Sequence, residues 1–178
     1  MNRHIAFLRG INLGNRRLEM SRLRSHFVEL GLGDVETFIA SGNVLFSTRA
    51  RDLRKCEDRI AAHLEKSLGY PVDTFIRTTQ EVMDIGRLEV FPDQGDAGTS
   101  LYVAFLRQKP GAETARGLEN IRSDVDAFRV RGREVYWLCR VRSSESKIWA
   151  SPEMKALRLP TMTLRNLTSI RKLIARHL

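Results

Sequence analysis

The chain has 178 residues, of which 42% are hydrophobic and 29% are charged, a balance that is typical of a globular protein and not of a disordered one. No apolar run reaches the roughly 20 residues that a membrane helix needs. The N-terminal residues lead directly into a predicted strand, without the pattern of a signal peptide. We therefore expect a cytoplasmic protein that has no contact with a membrane.

The first half of the chain predicts the element order of an alpha-beta plait. Its predicted strands are 4–9, 35–39, 44–47 and 72–76, and its predicted helices are 20–30 and 53–68. Apolar residues at helical spacing mark both helices, and glycine residues end them. A short helix, about 79–87, begins at a capping box formed by Thr78 and Glu81. The turn-rich stretch that follows places a module boundary near residue 98.

The second half of the chain repeats the first. His-Ile-Ala-Phe-Leu-Arg at 4–9 returns as Tyr-Val-Ala-Phe-Leu-Arg at 102–107, and a repeat of about half the chain length indicates a duplicated module. We expect the two phenylalanines, Phe7 and Phe105, to be equivalent and buried. The further predicted strands are 101–107, 125–130 and 135–141, and the predicted helices are 112–122, 145–157 and a last helix from about 165.

These elements define the predicted fold class. The fold is α+β, with two tandem ferredoxin-like (alpha-beta plait) subdomains, 1–98 and 99–178. The fourth strand of the second subdomain is predicted to be missing or very short, so that this subdomain ends in helices.

Four short motifs occur in the order of a known family. They are Phe7-Leu8-Arg9-Gly10-Ile11-Asn12-Leu13-Gly14, Ser41-Gly42-Asn43-Val44, Ser146-Lys147-Ile148 and Thr163-Leu164-Arg165-Asn166. Over essentially its whole length the chain resembles the uncharacterised bacterial proteins catalogued as domain of unknown function 1697. The resemblance implies two alpha-beta plait subdomains, in agreement with the pattern of elements. It implies no activity, substrate or cofactor.

The loop after the first strand is a candidate ligand-binding segment. It runs from Arg9 to Arg17. Gly10 and Gly14 free its backbone, and Asn12, Asn15, Arg16 and Arg17 offer donors that suit an anion. The spacing matches neither a dinucleotide-binding GxGxxG motif nor a P-loop. In the alternative interpretation, Asn12 caps backbone groups and Arg9 pairs with a carboxylate.

The Ser41-Gly42-Asn43 segment has the composition of a tight hairpin turn. We take the first and third strands of the plait to run parallel to each other. That arrangement places this turn and the loop after the first strand at opposite ends of the sheet. A compact site that contains both is therefore not expected.

The last candidate segment precedes the final helix. Thr163 is predicted to be the N-cap of that helix, with Arg165 and Asn166 in its first turn, where an anion can bind. Packing across the module boundary would bring these two residues near Arg9 and Asn12 in a polar cleft. In the alternative interpretation, Arg165 is tied to a carboxylate within the protein.

The positive charge is confined to the second half of the chain. Residues 1–98 contain 14 Lys and Arg and 14 Asp and Glu, whereas residues 99–178 contain 16 and 7, which accounts for the whole net charge of +9. The isoelectric point is about 10.2. Such a charge attracts polyanions without specificity, and it is also compatible with a merely solvated face.

A basic hairpin is the candidate nucleic-acid contact. Arg129, Arg131 and Arg133 surround the predicted turn between two strands, and Tyr136 and Trp137 follow. Basic residues interleaved with aromatic residues on a plait are typical of proteins that bind single-stranded nucleic acids. The specific motif of the RNA-recognition fold is absent.

Nothing in the sequence marks a catalytic centre, and whether the protein is an enzyme stays open. The four histidines are scattered without an HExxH motif, and no Gly-x-Ser-x-Gly motif occurs. Cys56 and Cys139 form no metal-ligand spacing, so we expect reduced thiols without a disulfide. We predict no metal and no cofactor.

Two classes of function remain. In the first, the protein is a binding module that holds nucleic acid or another polyanion through its basic second half. In the second, it is an enzyme or a small-anion-binding protein with a site between the two subdomains, near Arg9, Asn12, Arg165 and Asn166. The salt dependence of binding distinguishes the two classes, because polyanion binding weakens steeply as the salt concentration rises, whereas binding in a small pocket responds less.

Overall fold

The structure is a computed structural model that describes residues 1–121 and 123–178, and it divides into two compact units, Met1–Asp84 and Ile85–His177. The strands are β1 (Asn2–Arg9), β2 (Gly33–Phe38), β3 (Asn43–Thr48), β4 (Asp73–Thr78), β5 (Ser100–Leu106), β6 (Asp126–Arg131), β7 (Glu134–Cys139) and β8 (Met162–Asn166). The helices are α1 (Met20–Glu29), α2 (Leu53–Leu68), α3 (Thr79–Arg87), α4 (Ala112–Asn120), α5 (Pro152–Ala156) and α6 (Leu167–His177). Each unit contains one four-stranded antiparallel sheet, which confirms the predicted α+β class with two subdomains.

The first sheet has the strand order β2-β3-β1-β4, and α1 and α2 cover one of its faces. Ala6 and Leu8 of β1 share a core cluster with Phe27 of α1 and Ile60 of α2. The predicted bounds of α2 are confirmed. It begins where the Asp52 carboxylate accepts hydrogen bonds from two backbone amides of the first turn, at 3.0 and 3.1 Å, because those amides have no partner within the helix.

The expected direction of β3 is wrong. β1 and β3 are antiparallel, with Ala6 opposite Val44 and Phe7 opposite Asn43. The loop after β1 and the turn before β3 therefore meet at the same end of the sheet, where the amide of Leu8 donates to the carbonyl of Gly42 at 2.9 Å. Gly42 has a φ of 80° and packs against this loop, so no other residue fits there without strain.

The second sheet has the order β6-β7-β5-β8 and repeats the arrangement of the first. Its fourth strand is present, so the prediction that it is missing or very short is wrong. β8 pairs with β5 over five registered positions, including Val103 with Arg165 and Phe105 with Thr163. The last helix consequently begins at Leu167 and not near 165.

The connection from β7 to β8, residues 140–161, is called the crossover segment below. The helix predicted at 145–157 is replaced by a 3₁₀ turn, Ile148–Ala150, and the five-residue helix α5. Ser151 separates them, because its hydroxyl accepts from the amide of Met154 and a proline follows it at the start of α5. The predicted helix 112–122 ends at Asn120, and residue 122 lies outside the described residues.

The division between the units falls near residue 84, earlier than the boundary predicted near 98. The stretch that follows α3 packs on the second unit. The Asp93 carboxylate accepts a hydrogen bond from Arg140 Nε at 2.6 Å, and the ring of Phe91 lies 5.4 Å from the guanidinium of Arg129. Asp93 keeps a lowered carboxyl pKa chiefly because of its hydrogen bond with Arg140.

Both phenylalanines of the repeated hexapeptide are completely buried, as predicted. Cys56 and Cys139 are buried free thiols, and burial raises the pKa of each. Among the described residues, no helix has both the length and the apolar composition that crossing a membrane requires.

The central strands give the first testable prediction. Phe7→Ala and Phe105→Ala should each lower the free energy of unfolding by about 3–5 kcal/mol, because each replacement leaves a cavity at a side chain with 0% exposure. Urea unfolding followed by circular dichroism measures this. Val28→Ala, at a helix position that is 49% exposed, is the control and should change stability by less than about 0.5 kcal/mol. A similar small change in either phenylalanine variant would contradict the assignment of these strands to the core.

Candidate functional site

The loop after β1 is organised by the side chain of Asn12. Its Nδ2 donates to the carbonyl oxygens of Leu18, at 3.3 Å, and Ala40, at 2.9 Å, and its Oδ1 accepts from the amide of Leu18 at 2.6 Å. Asn12 has a φ of 53°, a conformation that asparagine adopts more readily than most residues. The predicted ligand residue thus holds its loop to the turn before β3.

A shallow cleft of about 580 Å³ opens beside this loop. Asn12, Arg17, Leu18, Glu19 and Ala40 line it. Arg17 donates from Nη1 to the carbonyl oxygens of Gly14, at 3.0 Å, and of Arg16, at 2.9 Å. One cation therefore borders the cleft in a conformation that the loop backbone fixes.

The other cations of this region have local partners. Arg9 Nη1 lies 3.2 Å from the Asp73 carboxylate, and both side chains are about half exposed. An exposed ion pair of this kind contributes about 0–1 kcal/mol to stability, so this contact alone does not anchor Arg9. The guanidinium of Arg16 lies 4.1 Å from the centre of the Tyr70 ring, in a cation–π contact.

Arg165 lies in β8 and not in the first turn of a helix. It is 8% exposed, and its Nη1 donates at 2.8 Å to both the Thr163 hydroxyl and the Leu164 carbonyl. Desolvation lowers the pKa of Arg165 to about 10, because burial disfavours the charged form. Thr163 is therefore a strand residue that accepts from Arg165, and the prediction that it is an N-cap is wrong.

Asn166 takes the capping role. Its Oδ1 accepts from the amide of Thr168 at 2.8 Å, at the start of α6. Arg9 and Asn12 belong to the first unit, whereas Arg165 and Asn166 belong to the second. The cleft shared by these four residues stays a prediction.

A second buried arginine occupies the position in the first sheet that Arg165 occupies in the second. Arg77 pairs with Ile5 in the register of β4 with β1, and Arg165 pairs with Val103 in the register of β8 with β5. Ile5 and Val103 are the second residues of the repeated hexapeptide. Arg77 is 0% exposed, and sequence reasoning missed it because the repeat was recognised only in its first strand.

The basic hairpin is less available than the sequence suggests. Arg129 is partly buried and donates to the carbonyl of Phe128, while its guanidinium lies over the ring of Phe91. Arg131 is more exposed, and its Nη1 lies 3.6 Å from the Glu119 carboxylate. Arg133 follows Gly132 in the turn and is partly buried.

Most of the exposed cations of the second unit lie outside the hairpin. The exposed basic residues are Lys109, Arg116, Arg131, Arg142, Lys147, Lys155, Arg158, Arg171, Lys172 and Arg176. The crossover segment alone carries Arg142, Lys147, Lys155 and Arg158. The same segment presents partly buried apolar side chains, among them Trp149 and Leu157.

The crossover segment is anchored by a buried carboxylate that sequence reasoning did not single out. Asp126, in β6, is 3% exposed. Its Oδ1 accepts from Trp137 Nε1 at 2.7 Å and from the Ser146 hydroxyl at 2.9 Å. The serine of the Ser146-Lys147-Ile148 motif thus has a structural role, since it holds the crossover segment to the sheet.

One group of side chains among the described residues has the convergence expected of metal ligands. It consists of His26, Glu29 and His63, whose donor atoms all lie within 4.8 Å of one another. No spacing in the sequence indicates this group, because His63 comes from a different helix than His26 and Glu29.

The contacts of Asn12 lead to a second prediction. Asn12→Ala should lower the free energy of unfolding by about 1–3 kcal/mol, because it leaves the partly buried amide and carbonyl of Leu18 without their side-chain partner. Asn12→Gly tolerates the positive φ but lacks the side-chain amide. Its stability should therefore be reduced nearly as much as that of Asn12→Ala. Thermal unfolding followed by circular dichroism is the measurement, and Asn15→Ala, at an exposed position of the same loop, is the control. Full recovery in Asn12→Gly would show that backbone strain, and not hydrogen bonding, is responsible.

Burial of Arg165 gives a third prediction. Arg165→Ala should lower the free energy of unfolding by about 2 kcal/mol or more, because it removes the donor to Thr163 and Leu164 and leaves a cavity. Arg165→Met fills most of the volume without a charge and should lose less. Urea unfolding of the two variants measures the difference. Equal stability of Arg165→Ala and the parent chain would contradict a structural role.

The solved structure of a conserved bacterial protein from Streptococcus pneumoniae is similar to this one, with a TM-score of 0.72, 17% sequence identity and coverage of 99% of each chain. At that identity the likeness shows the fold alone. No curated protein matches the chain. The family model described as protein of unknown function DUF1697 matches residues 1–136, and the chain belongs to that family.

Proposed function

We propose that this protein is a cytoplasmic binding module for polyanions, such as single-stranded nucleic acid, built on two ferredoxin-like plaits. The observation that carries the proposal is the charge asymmetry. Residues 99–178 contain 16 Lys and Arg against 7 Asp and Glu, whereas residues 1–98 are balanced. Neutralisation of phosphates by Lys and Arg supplies essentially all of the affinity of sequence-independent binding.

The burial of the aromatic residues favours phosphate contacts over base stacking. Phe128 and Trp137 belong to the core cluster on one face of the second sheet. Phe105 and Tyr136, whose side chains alternate onto the other face, are also buried. Bases therefore have no open sheet surface on which to stack, unlike in the RNA-recognition fold. Binding through side-chain cations alone tolerates many sequences and weakens steeply with salt.

The crossover segment supports the proposal better than the hairpin does. Among the described residues, Lys147, Lys155 and Arg158 are exposed and have no carboxylate within ion-pairing distance. Arg129 and Arg131 of the hairpin are held by Phe91 and Glu119 instead. We therefore assign the principal phosphate contacts to the crossover segment and a secondary role to Arg129, Arg131 and Arg133.

The test uses the full-length chain and a fluorescently labelled single-stranded oligonucleotide. Fluorescence anisotropy should show weak binding at low salt that is lost as salt rises, and the Lys147→Ala/Lys155→Ala/Arg158→Ala variant should bind more weakly. Removing three phosphate contacts lowers the slope of log affinity against log salt by about 2. The triple hairpin variant Arg129→Ala/Arg131→Ala/Arg133→Ala should have a smaller effect.

A matched variant controls for the total charge. Arg22→Ala/Arg49→Ala/Lys66→Ala removes three exposed cations from the first unit, where no polyanion contact is proposed. This control should keep most of the affinity and the salt slope of the parent chain. Equal losses in the crossover and first-unit variants would mean that only net charge matters, and the assigned surface would be wrong.

The second candidate, a small-anion-binding protein or an enzyme, is favoured by the cleft beside the loop after β1. Arg17 borders that cleft in a fixed conformation. Inorganic phosphate is the appropriate probe, because binding to one small site depends far less on salt than binding to a polyanion. Saturable phosphate binding that Arg17→Ala abolishes would favour this candidate.

A further inference from the structure

Three polar side chains converge where α1 and α2 lie beside each other in the first unit. His26 and Glu29 stand one turn apart on α1, and His63 comes from α2. Glu29 Oε2 lies 3.4 Å from His26 Nδ1 and 3.1 Å from His63 Nε2. The ring centres of the two histidines are 5.3 Å apart and the ring planes are inclined at 67°, so that their nitrogens approach one carboxylate from different directions.

We propose that His26, Glu29 and His63 form a binding site for one divalent transition-metal ion such as Zn²⁺. Two imidazole nitrogens and a carboxylate oxygen are ligands that Zn²⁺ and its neighbours prefer, whereas Mg²⁺ and Ca²⁺ prefer oxygen alone. Three protein ligands leave a fourth tetrahedral position for water, as in open zinc sites. The site is separate from the basic surface of the second unit and does not depend on the proposed polyanion binding.

The distances fit such an ion after small movements. Zinc–ligand distances of about 2.0–2.1 Å place neighbouring tetrahedral ligands about 3.3–3.4 Å apart. The two nitrogen–oxygen separations, 3.1 and 3.4 Å, are already close to that value. Only His26 Nδ1 and His63 Nε2 must move closer to each other. His63 is 24% exposed and Glu29 is 54% exposed, so both have room to adjust around the fixed His26.

The protonation of His26 is compatible with metal binding. Its Nε2 is buried and has no hydrogen-bond partner among the described residues. Without an ion, the contact with Glu29 requires a proton on Nδ1. When an ion takes the place of that contact, the proton can reside on Nε2 while Nδ1 offers its lone pair to the ion. A metal-binding histidine usually donates its second N–H to a neighbouring oxygen, and the absence of such a contact for His26 predicts a moderate affinity.

Glu29 also explains why the cluster attracts a cation. With both imidazoles neutral, its carboxylate gives the three side chains a net negative charge. A hydrogen-bonded cluster without an ion needs N–H groups at both His26 Nδ1 and His63 Nε2, since the carboxylate only accepts. An ion replaces both of these protons at once. It also cross-links α1 and α2, so it stabilises the folded chain by mass action.

The test is Zn²⁺ titration of the full-length chain, purified without a histidine tag. Isothermal titration calorimetry should show one saturable site per chain, and the melting temperature should rise with added Zn²⁺. Binding should weaken on acidification, because imidazole must be deprotonated to bind. His63→Ala and Glu29→Gln should each reduce the affinity at least tenfold, and Glu29→Gln replaces a half-exposed group, which spares the fold.

The control is Glu65→Gln, which neutralises an exposed carboxylate of α2 two residues beyond His63 and should leave the affinity unchanged. Co²⁺ serves as a spectroscopic probe. Visible bands without a thiolate charge-transfer band should accompany binding by nitrogen and oxygen ligands. Absence of saturable binding, unchanged affinity in Glu29→Gln and His63→Ala, or a thiolate band from Cys56 would each overturn the proposal.

Discussion

Both units depend on a central strand whose backbone is paired on both edges and whose side chains are buried on both faces. In the first unit this strand is β1, between β3 and β4, and in the second it is β5, between β7 and β8. Ile5 to Leu8 and Val103 to Leu106 are each at most 1% exposed. A strand without a solvent-facing side tolerates little change, which accounts physically for the hexapeptide that the two halves share. The other strands and the helices are placed by their pairing or packing with this strand.

Each sheet carries a buried arginine beside its central strand, and the burial of these charged groups opposes folding. Arg77 and Arg165 occupy equivalent positions in the strand pairing of their sheets. The guanidinium of Arg165 donates hydrogen bonds to the Thr163 hydroxyl and the Leu164 carbonyl. Burying a charge is unfavourable unless hydrogen bonds compensate for the lost water. For Arg165 the folded pKa lies below that of an exposed arginine, so the unfolded chain holds this proton more tightly. Because both side chains are buried, we expect their guanidinium groups to serve contacts within the protein and not contacts with solvent.

Much of the fold is predictable from local patterns. The bounds of α2 follow from apolar residues at helical spacing and from Gly69 at its end, and the repeated hexapeptide identifies the two central strands. The pattern does not indicate β8, because this strand follows Pro160 and carries polar residues at alternate positions. The error over β1 and β3 arose from an incorrect assumption about strand direction and hid the contact between Leu8 and Gly42. The sequence does not indicate the cluster of His26, Glu29 and His63, because side chains that converge from two helices have no characteristic spacing along the chain.

The aromatic core of the second unit has a consequence for how the protein is observed in solution. Trp137 and Trp149, whose ring centres lie 5.4 Å apart, are the two tryptophans of the chain. Both belong to the second unit, so intrinsic tryptophan fluorescence reports on that unit alone and is blind to the first. Circular dichroism records both. Coincidence of the two signals during denaturation indicates a single cooperative transition, and their separation indicates that the duplicated halves unfold independently.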